Sequence, residues 1–139
     1  DSELGADFTV DSSDPDAKKK ILSVTQGRGV DVVIENVGSA QSFQWSLPCL
    51  KRGGRLILVG YDLANPLPVN AMEMHYNEWT ISGSRTSTKQ ELLEVIDLVQ
   101  EGKIKPIVYR RLDWEKANEA IQEIHKGTGV GRTVLTFDS

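Results

Sequence analysis

The chain has 139 residues, 39% of them hydrophobic and 26% charged, with a net charge of -4 and a pI near 5.2. Such a balance excludes a disordered tail or a fibre, and the length suffices for one folded core. An acidic sum with dispersed Lys and Arg also argues against a nucleic-acid partner, since the one basic run, Lys18 to Lys20, sits among acidic residues without interleaved aromatics.

Leu4 to Asp11, LGADFTVD, predicts the end of a helix at Gly5 followed by a short alternating strand. Asp14 is a good N-cap and Pro15 suits a first helical position, so a helix with Ala17, Ile21 and Val24 on one face is expected to run to Gly27. Val30 to Val37 is almost continuously apolar and β-branched, the pattern of a strand covered on both faces of a parallel sheet, with two acceptors, Glu35 and Asn36, near its end. Ser39 to Leu50 places Phe43, Leu47 and Leu50 at helical spacing, and Pro48 weakens the last turn. Gly53 and Gly54 predict a turn into a second buried strand, Arg55 to Val59, which ends at Gly60.

Asp62 to Asn70 contains Pro66 and Pro68 and reads as a loop leading to a short turn around Ala71 to Tyr76. Trp79 to Ser84 is a third strand. Thr88 with Glu91 forms a capping-box pattern ahead of a helix whose stripe is Leu92, Val95, Ile96 and Val99, closed by Gly102. A short strand at Ile107 to Tyr109, a helix capped by Asp113 with Trp114, Ala117, Ile121 and Ile124 inward, and a final strand Thr133 to Phe137 complete the chain. Strands alternating with helices at short intervals predict an α/β fold, a truncated Rossmann-like, mainly parallel sheet with flanking helices, in a single partial domain over residues 1–139.

In such a sheet ligands bind beyond the carboxyl ends of the strands, where the loops converge. Val37 and Gly38, then Val59, Gly60 and Tyr61, then Gly83 to Thr86 hold those positions, and glycine there lets a ring or ribose approach the backbone. Arg132, just before the last strand, offers a guanidinium suited to a phosphate, although on the residues alone an exposed strand-flanking arginine is the preferred explanation. His75 and His125 lack a second His or a Cys at ligand spacing, and no metal site is expected from this chain. Nothing in it forms a persuasive general acid, general base or activated nucleophile. Cys49, the only cysteine, reads as a small core residue; it excludes an internal disulfide and fits a reducing, cytoplasmic compartment, and no apolar run is long enough to span a membrane.

Individually weak strings, LGADFTVD, GVDVVIENVG, LKRGGRLILVG, WTISGS and GRTVLTF, together resemble in order and spacing the medium-chain dehydrogenase/reductase superfamily, the zinc-type alcohol dehydrogenases and their reductase relatives. The resemblance implies an NAD- or NADP-dependent hydride transfer on an alcohol, aldehyde or activated alkene by the parent protein. It also implies Val37 and Gly38 near the nicotinamide ribose, Val59, Gly60 and Tyr61 beside the ring, Ser84 and Thr86 at the carboxamide, and Arg132 at the pyrophosphate. A small-molecule substrate, a homodimer through the Trp79 to Ser84 edge strand, and a catalytic-domain segment that the chain rejoins from Leu112 onward are implied in the same way.

The G-x-G-x-x-G phosphate turn is absent from this stretch, as are the residues that choose the cofactor and hold zinc in such enzymes, so the isolated chain is expected to be inactive and to bind NADH weakly or not at all. LGADFTVD would lack its natural neighbour strand, and it is expected to be displaced, swapped or supported by a dimer. Two other readings stand beside this one. LKRGGRLILVG also resembles the strand entry of S-adenosylmethionine-dependent methyltransferases, whose folds end in an antiparallel strand pair, and a non-catalytic dimerisation module is the third.

Overall fold

A computed structural model of the chain describes residues 4–64, 66–127 and 129–137. Two compact units divide it, Asp1–Thr86 and Ser87–Ser139.

In the first unit, Asp14 opens a turn ahead of the helix, its side chain accepting from the Asp16 amide at 2.8 Å and its carbonyl from the Ala17 amide at 2.9 Å. Helix α1 itself covers Ala17–Val24. Strand β1, Val30–Glu35, is followed by α2, Ala40–Ser46, where the Ser39 hydroxyl accepts from the Ser42 amide. Pro48 lacks the N–H that an α-helical turn needs, and the helix tightens there into a 3-10 turn, Leu47–Cys49. Strand β2, Leu50–Leu58, leads through α3, Ala71–Asn77, to β3, Thr80–Gly83.

The three strands form a parallel sheet in the order β1-β2-β3, so β3 lies at an edge. Val33 aligns with Leu56 and Leu56 with Ile81, a row that faces the core. Phe43, Leu47, Leu50 and Leu56 are buried at its centre, with Val30, Val33, Leu58, Leu67, Trp79 and Ile81 packed around them. Burial of side chains like Phe43 and Leu56 contributes about 1.5–3 kcal/mol each.

Three expectations are corrected here. LGADFTVD forms no strand over its described residues: alternation supplies propensity, but a strand exists only where a neighbour accepts its ladder, and β1 pairs with β2 alone. Gly53 and Gly54 do not precede the second strand but lie within it. The ladder steps from Val30–Leu50 to Val32–Arg55, so the extra residues of β2 bulge out, with Gly53 at φ 70°. Strand β1 is covered on one face only, Val32 and Ile34 being 41% and 64% exposed.

The second unit contains α4, Lys89–Gln100, β4, Val108–Asp113, α5, Ala117–Lys126, and β5, Arg132–Thr136. Thr88 and Glu91 form the reciprocal capping box at the start of α4. Its predicted stripe is present in the helix but uncovered, since α4 buries none of its residues and Leu92, Val95 and Ile96 are exposed. Strands β4 and β5 pair in parallel around the α5 crossover. Asp113 caps a 3-10 turn, Trp114–Lys116, that runs into α5, and Gly127 ends that helix in the left-handed conformation. Arg110 holds α5 against β4 through Glu119 at 2.7 Å and through Glu123. Ile121 and Ile124 of α5, expected inward, are exposed, and Trp114 instead stacks on Phe137 with ring centroids 5.9 Å apart.

Candidate cofactor cleft

Because β1, β2 and β3 run parallel, their carboxyl ends lie side by side and the loops that follow them share one rim. A cleft of about 1080 Å³ opens there, lined by Gly38, Leu58, Val59, Gly60, Tyr61, Asp62, Pro66, Leu67, Gly83, Ser84, Arg85 and Thr86. Six of the eight expected contact residues, Gly38, Val59, Gly60, Tyr61, Ser84 and Thr86, are thus brought together.

Val37 does not line it, and Arg132 belongs to the second unit. Val37 is exposed and borders a separate hollow with Ser12, Ser39 and Trp45. Arg132 opens β5 in the second unit, where its N–H donates to the Ile107 carbonyl at 2.9 Å and it borders a hollow with Tyr109 and Thr133. Its guanidinium makes no ion pair among the described residues. Arg85 lies within the expected stretch Gly83 to Thr86, whereas sequence reasoning missed Leu58, Asp62, Pro66 and Leu67 as lining residues. Leu58 ends β2 and could have been found from the strand boundary; the three loop residues carry no local signal that places them.

Glycine at these strand ends has a reason internal to the protein. A Cβ on Gly38, which holds φ 75°, would stand 2.1 Å from the Tyr61 nitrogen, and one on Gly60 would stand 2.3 Å from the Asn36 carbonyl oxygen. Missing side chains at Gly38 and Gly60 therefore let the two loops pack backbone to backbone, and access for a ligand is not needed to explain them. Gly83 differs, since a Cβ there would meet open space.

Hydrogen bonding decides which backbone groups are left for a ligand. Glu35, 4% exposed, accepts at Oε1 from the Val37 amide at 2.7 Å and the Gly38 amide at 3.1 Å. Its main-chain oxygen accepts from the Val59 amide at 2.9 Å and the Gly60 amide at 3.0 Å, and the Ser46 hydroxyl lies 3.4 Å from Oε2. The Ser84 amide is likewise committed, to the Leu58 carbonyl at 2.8 Å. The Thr86 amide, by contrast, donates to no described residue, and Thr86 holds φ 51°, an outlier for a β-branched side chain. Strained backbone of this kind concentrates at ligand clamps and switch segments.

Among the described residues no group of three His, Cys, Asp or Glu side chains could hold a metal ion, and no helix is long and apolar enough to cross a membrane. Cys49 is buried, and burial pushes its thiol up, away from the reactive thiolate.

The family model described as zinc-binding dehydrogenase matches residues 4–135. The chain belongs to the zinc-binding dehydrogenase family. That membership sets aside the methyltransferase-like reading, as does the parallel pairing of β4 with β5. An NAD-dependent alcohol dehydrogenase of Sulfolobus acidocaldarius is 37% identical over 133 residues, covering 95% of this chain and 38% of the relative. An alcohol dehydrogenase of Geobacillus stearothermophilus is 32% identical over 133 residues, covering 96% and 38%. Among solved structures, the alcohol dehydrogenase of the archaeon Aeropyrum pernix matches with a TM-score of 0.88 at 32% identity, over 98% of this chain and 38% of that one. This zinc-binding dehydrogenase chain therefore spans about 38% of the length of the curated relatives it matches.

Proposed function

We propose that the chain forms the nicotinamide-facing part of an NAD(P)-dependent oxidoreductase that transfers hydride between its cofactor and an alcohol, an aldehyde or an activated alkene. The observation that carries this reading is the convergence of Gly38, Val59, Gly60, Tyr61, Ser84 and Thr86 on one cleft at the carboxyl ends of a parallel sheet. The cleft suits a nicotinamide riboside: Leu58, Val59 and Leu67 offer apolar surface to a ring, and the Thr86 amide is a donor for the carboxamide oxygen. When bound, the nicotinamide supplies the site for hydride gain and loss, and the protein's part is to orient it. Val59 and Tyr61 would flank the ring and keep water from it, while Gly38 and Val37 would face the ribose.

The relatives named NAD-dependent alcohol dehydrogenases favour NAD over NADP, and the family description favours a parent that binds zinc. In this reading zinc is held by residues outside this stretch, and the isolated chain is inactive. Arg132 would meet the pyrophosphate, and residues from Leu112 onward would rejoin the catalytic domain. The parent would act in the cytoplasm on a small-molecule substrate, as a homodimer joined through the edge strand at Trp79 to Ser84, which pairs only with β2 among the described residues.

Titration of the ¹⁵N-labelled chain with NADH tests the reading. Any binding is expected to be weak and to move the signals of Val37, Gly38, Val59, Gly60, Tyr61, Ser84, Thr86 and Arg132; at about 10 mM NADH, a concentration that would reveal even binding of about −3 kcal/mol, changes confined to other residues would sink it.

A further inference from the structure

We infer that Glu35 is a positioning residue that sets the spacing of the two loops lining the cleft. The proposal rests on the cofactor reading only for what those loops hold. A carboxylate at the end of an otherwise apolar, β-branched strand breaks the local pattern, and a buried charged group persists only where hydrogen bonds compensate its desolvation. Period-two alternation puts Glu35 on the same face as Val33, against the core. There one residue serves both loops.

Its side chain pins the loop after β1 through the Val37 and Gly38 amides, and its main-chain carbonyl pins the loop after β2 through the Val59 and Gly60 amides. Two N–H donors converge on the single oxygen Oε1, which requires an acceptor with two free lone pairs. The Gly38 backbone, held at that height, then presses on the backbone of Gly60 and Tyr61. A change at the Glu35 carboxylate is thereby transmitted to Tyr61, a residue it does not touch through its own hydrogen bonds.

Amide hydrogen exchange and ¹⁵N spectra of the full chain test this. In the unaltered chain the Val37 and Gly38 amides should exchange at least about 100-fold slower than in an unstructured peptide, in one class with Val59 and Gly60, because all four open together. Peptide-like exchange at Val37 or Gly38 overturns the proposal, and this measurement does not depend on any variant folding. Glu35→Ala should abolish protection at Val37 and Gly38 and shift the signals of Gly60 and Tyr61, whereas Glu35→Gln, which retains Oε1, should restore both. Unmoved Gly60 and Tyr61 signals in Glu35→Ala, or a Glu35→Gln spectrum as disturbed as that of Glu35→Ala, would refute the coupling; a generally weakened core would not distinguish the two variants in this way. Addition of NADH separates the two ideas: slow, matched exchange at the four amides together with NADH-induced shifts confined to residues away from the cleft overturns the cofactor reading and upholds the clamp.

Discussion

Gly38 and Tyr61 meet through their backbones, so closely that a Cβ built on Gly38 would lie 2.1 Å from the Tyr61 nitrogen. The contact joins the loop after β1 to the loop after β2, and its tolerance of substitution is the first expectation. Gly38→Ala combines that clash with a φ of 75°, and Gly60→Ala drives a methyl into the Asn36 carbonyl. Each should destabilise the first unit by at least about 1–3 kcal/mol. Gly83→Ala, facing open space at an ordinary φ, should be neutral or stabilising by about 0.4–1 kcal/mol. Urea unfolding followed by tryptophan fluorescence ranks the three; equal losses would mean that the loops move apart readily.

Phe43 is fully buried between α2 and the sheet. Phe43→Ala should cost about 3–5 kcal/mol, the cavity adding to the lost transfer term. A loss under 1 kcal/mol in the same unfolding measurement would show that the core is not packed as described.

The start of α4 offers an independent test in the second unit. Thr88 accepts from the Glu91 amide at 3.2 Å while the Glu91 carboxylate accepts from the Thr88 amide at 2.6 Å. Thr88→Ala should cost about 1 kcal/mol and reduce helicity by circular dichroism, and Thr88→Ser should restore most of it. Because α4 buries no side chain, capping is expected to matter more here than in a helix held by packing.

Asp31 lies beside Arg28 at 2.8 Å and Lys51 at 2.5 Å, and their hydrogen bonds hold its carboxyl well below the ordinary 3.8. A depressed carboxylate contributes stability that is complete above 3.8 and disappears as pH falls below that value toward its folded-state value. Arg28 and Asp31 are open to solvent and Lys51 is half-buried, so the effect is small and screened by salt. Carboxyl ¹³C titration should show Asp31 still ionised at pH 3, and Lys51→Met should raise its midpoint. An unchanged midpoint would assign the shift to Arg28 alone.

How far the sequence could be read varies with where each element's cause lies. Thr88, Glu91 and the spacing of the α4 stripe are local, and that helix begins where they place it. The β-branched run at Val30 to Val37 is local too, and its first six residues, Val30 to Glu35, form β1. What surrounds an element is not local: the same run predicts a strand covered on both faces, yet Val32 and Ile34 face solvent. Gly53 and Gly54 announce a break without saying whether it is a turn before a strand or a bulge within one, since that depends on the register of Leu50 against Val30. The cleft was legible as a set of strand ends, because parallel topology dictates where loops gather. Glu35 was visible only as an acceptor out of place, and its four amide partners belong to chain folded back from two directions.

Among the described residues no strand pairs with the three-stranded sheet of the first unit beyond β1 or beyond β3, and Val32 and Ile34 are exposed on one face. Backbone groups along such strand edges are directional and repeat at the spacing of any extended chain, so they do not discriminate between a proper neighbour and a second molecule of the same kind. Arg55, in register with Val32, is the charged side chain beside that face, so the flanking backbone rows rather than the apolar patch are where copies would meet. Raising the concentration is expected to favour edge-to-edge pairing of folded copies.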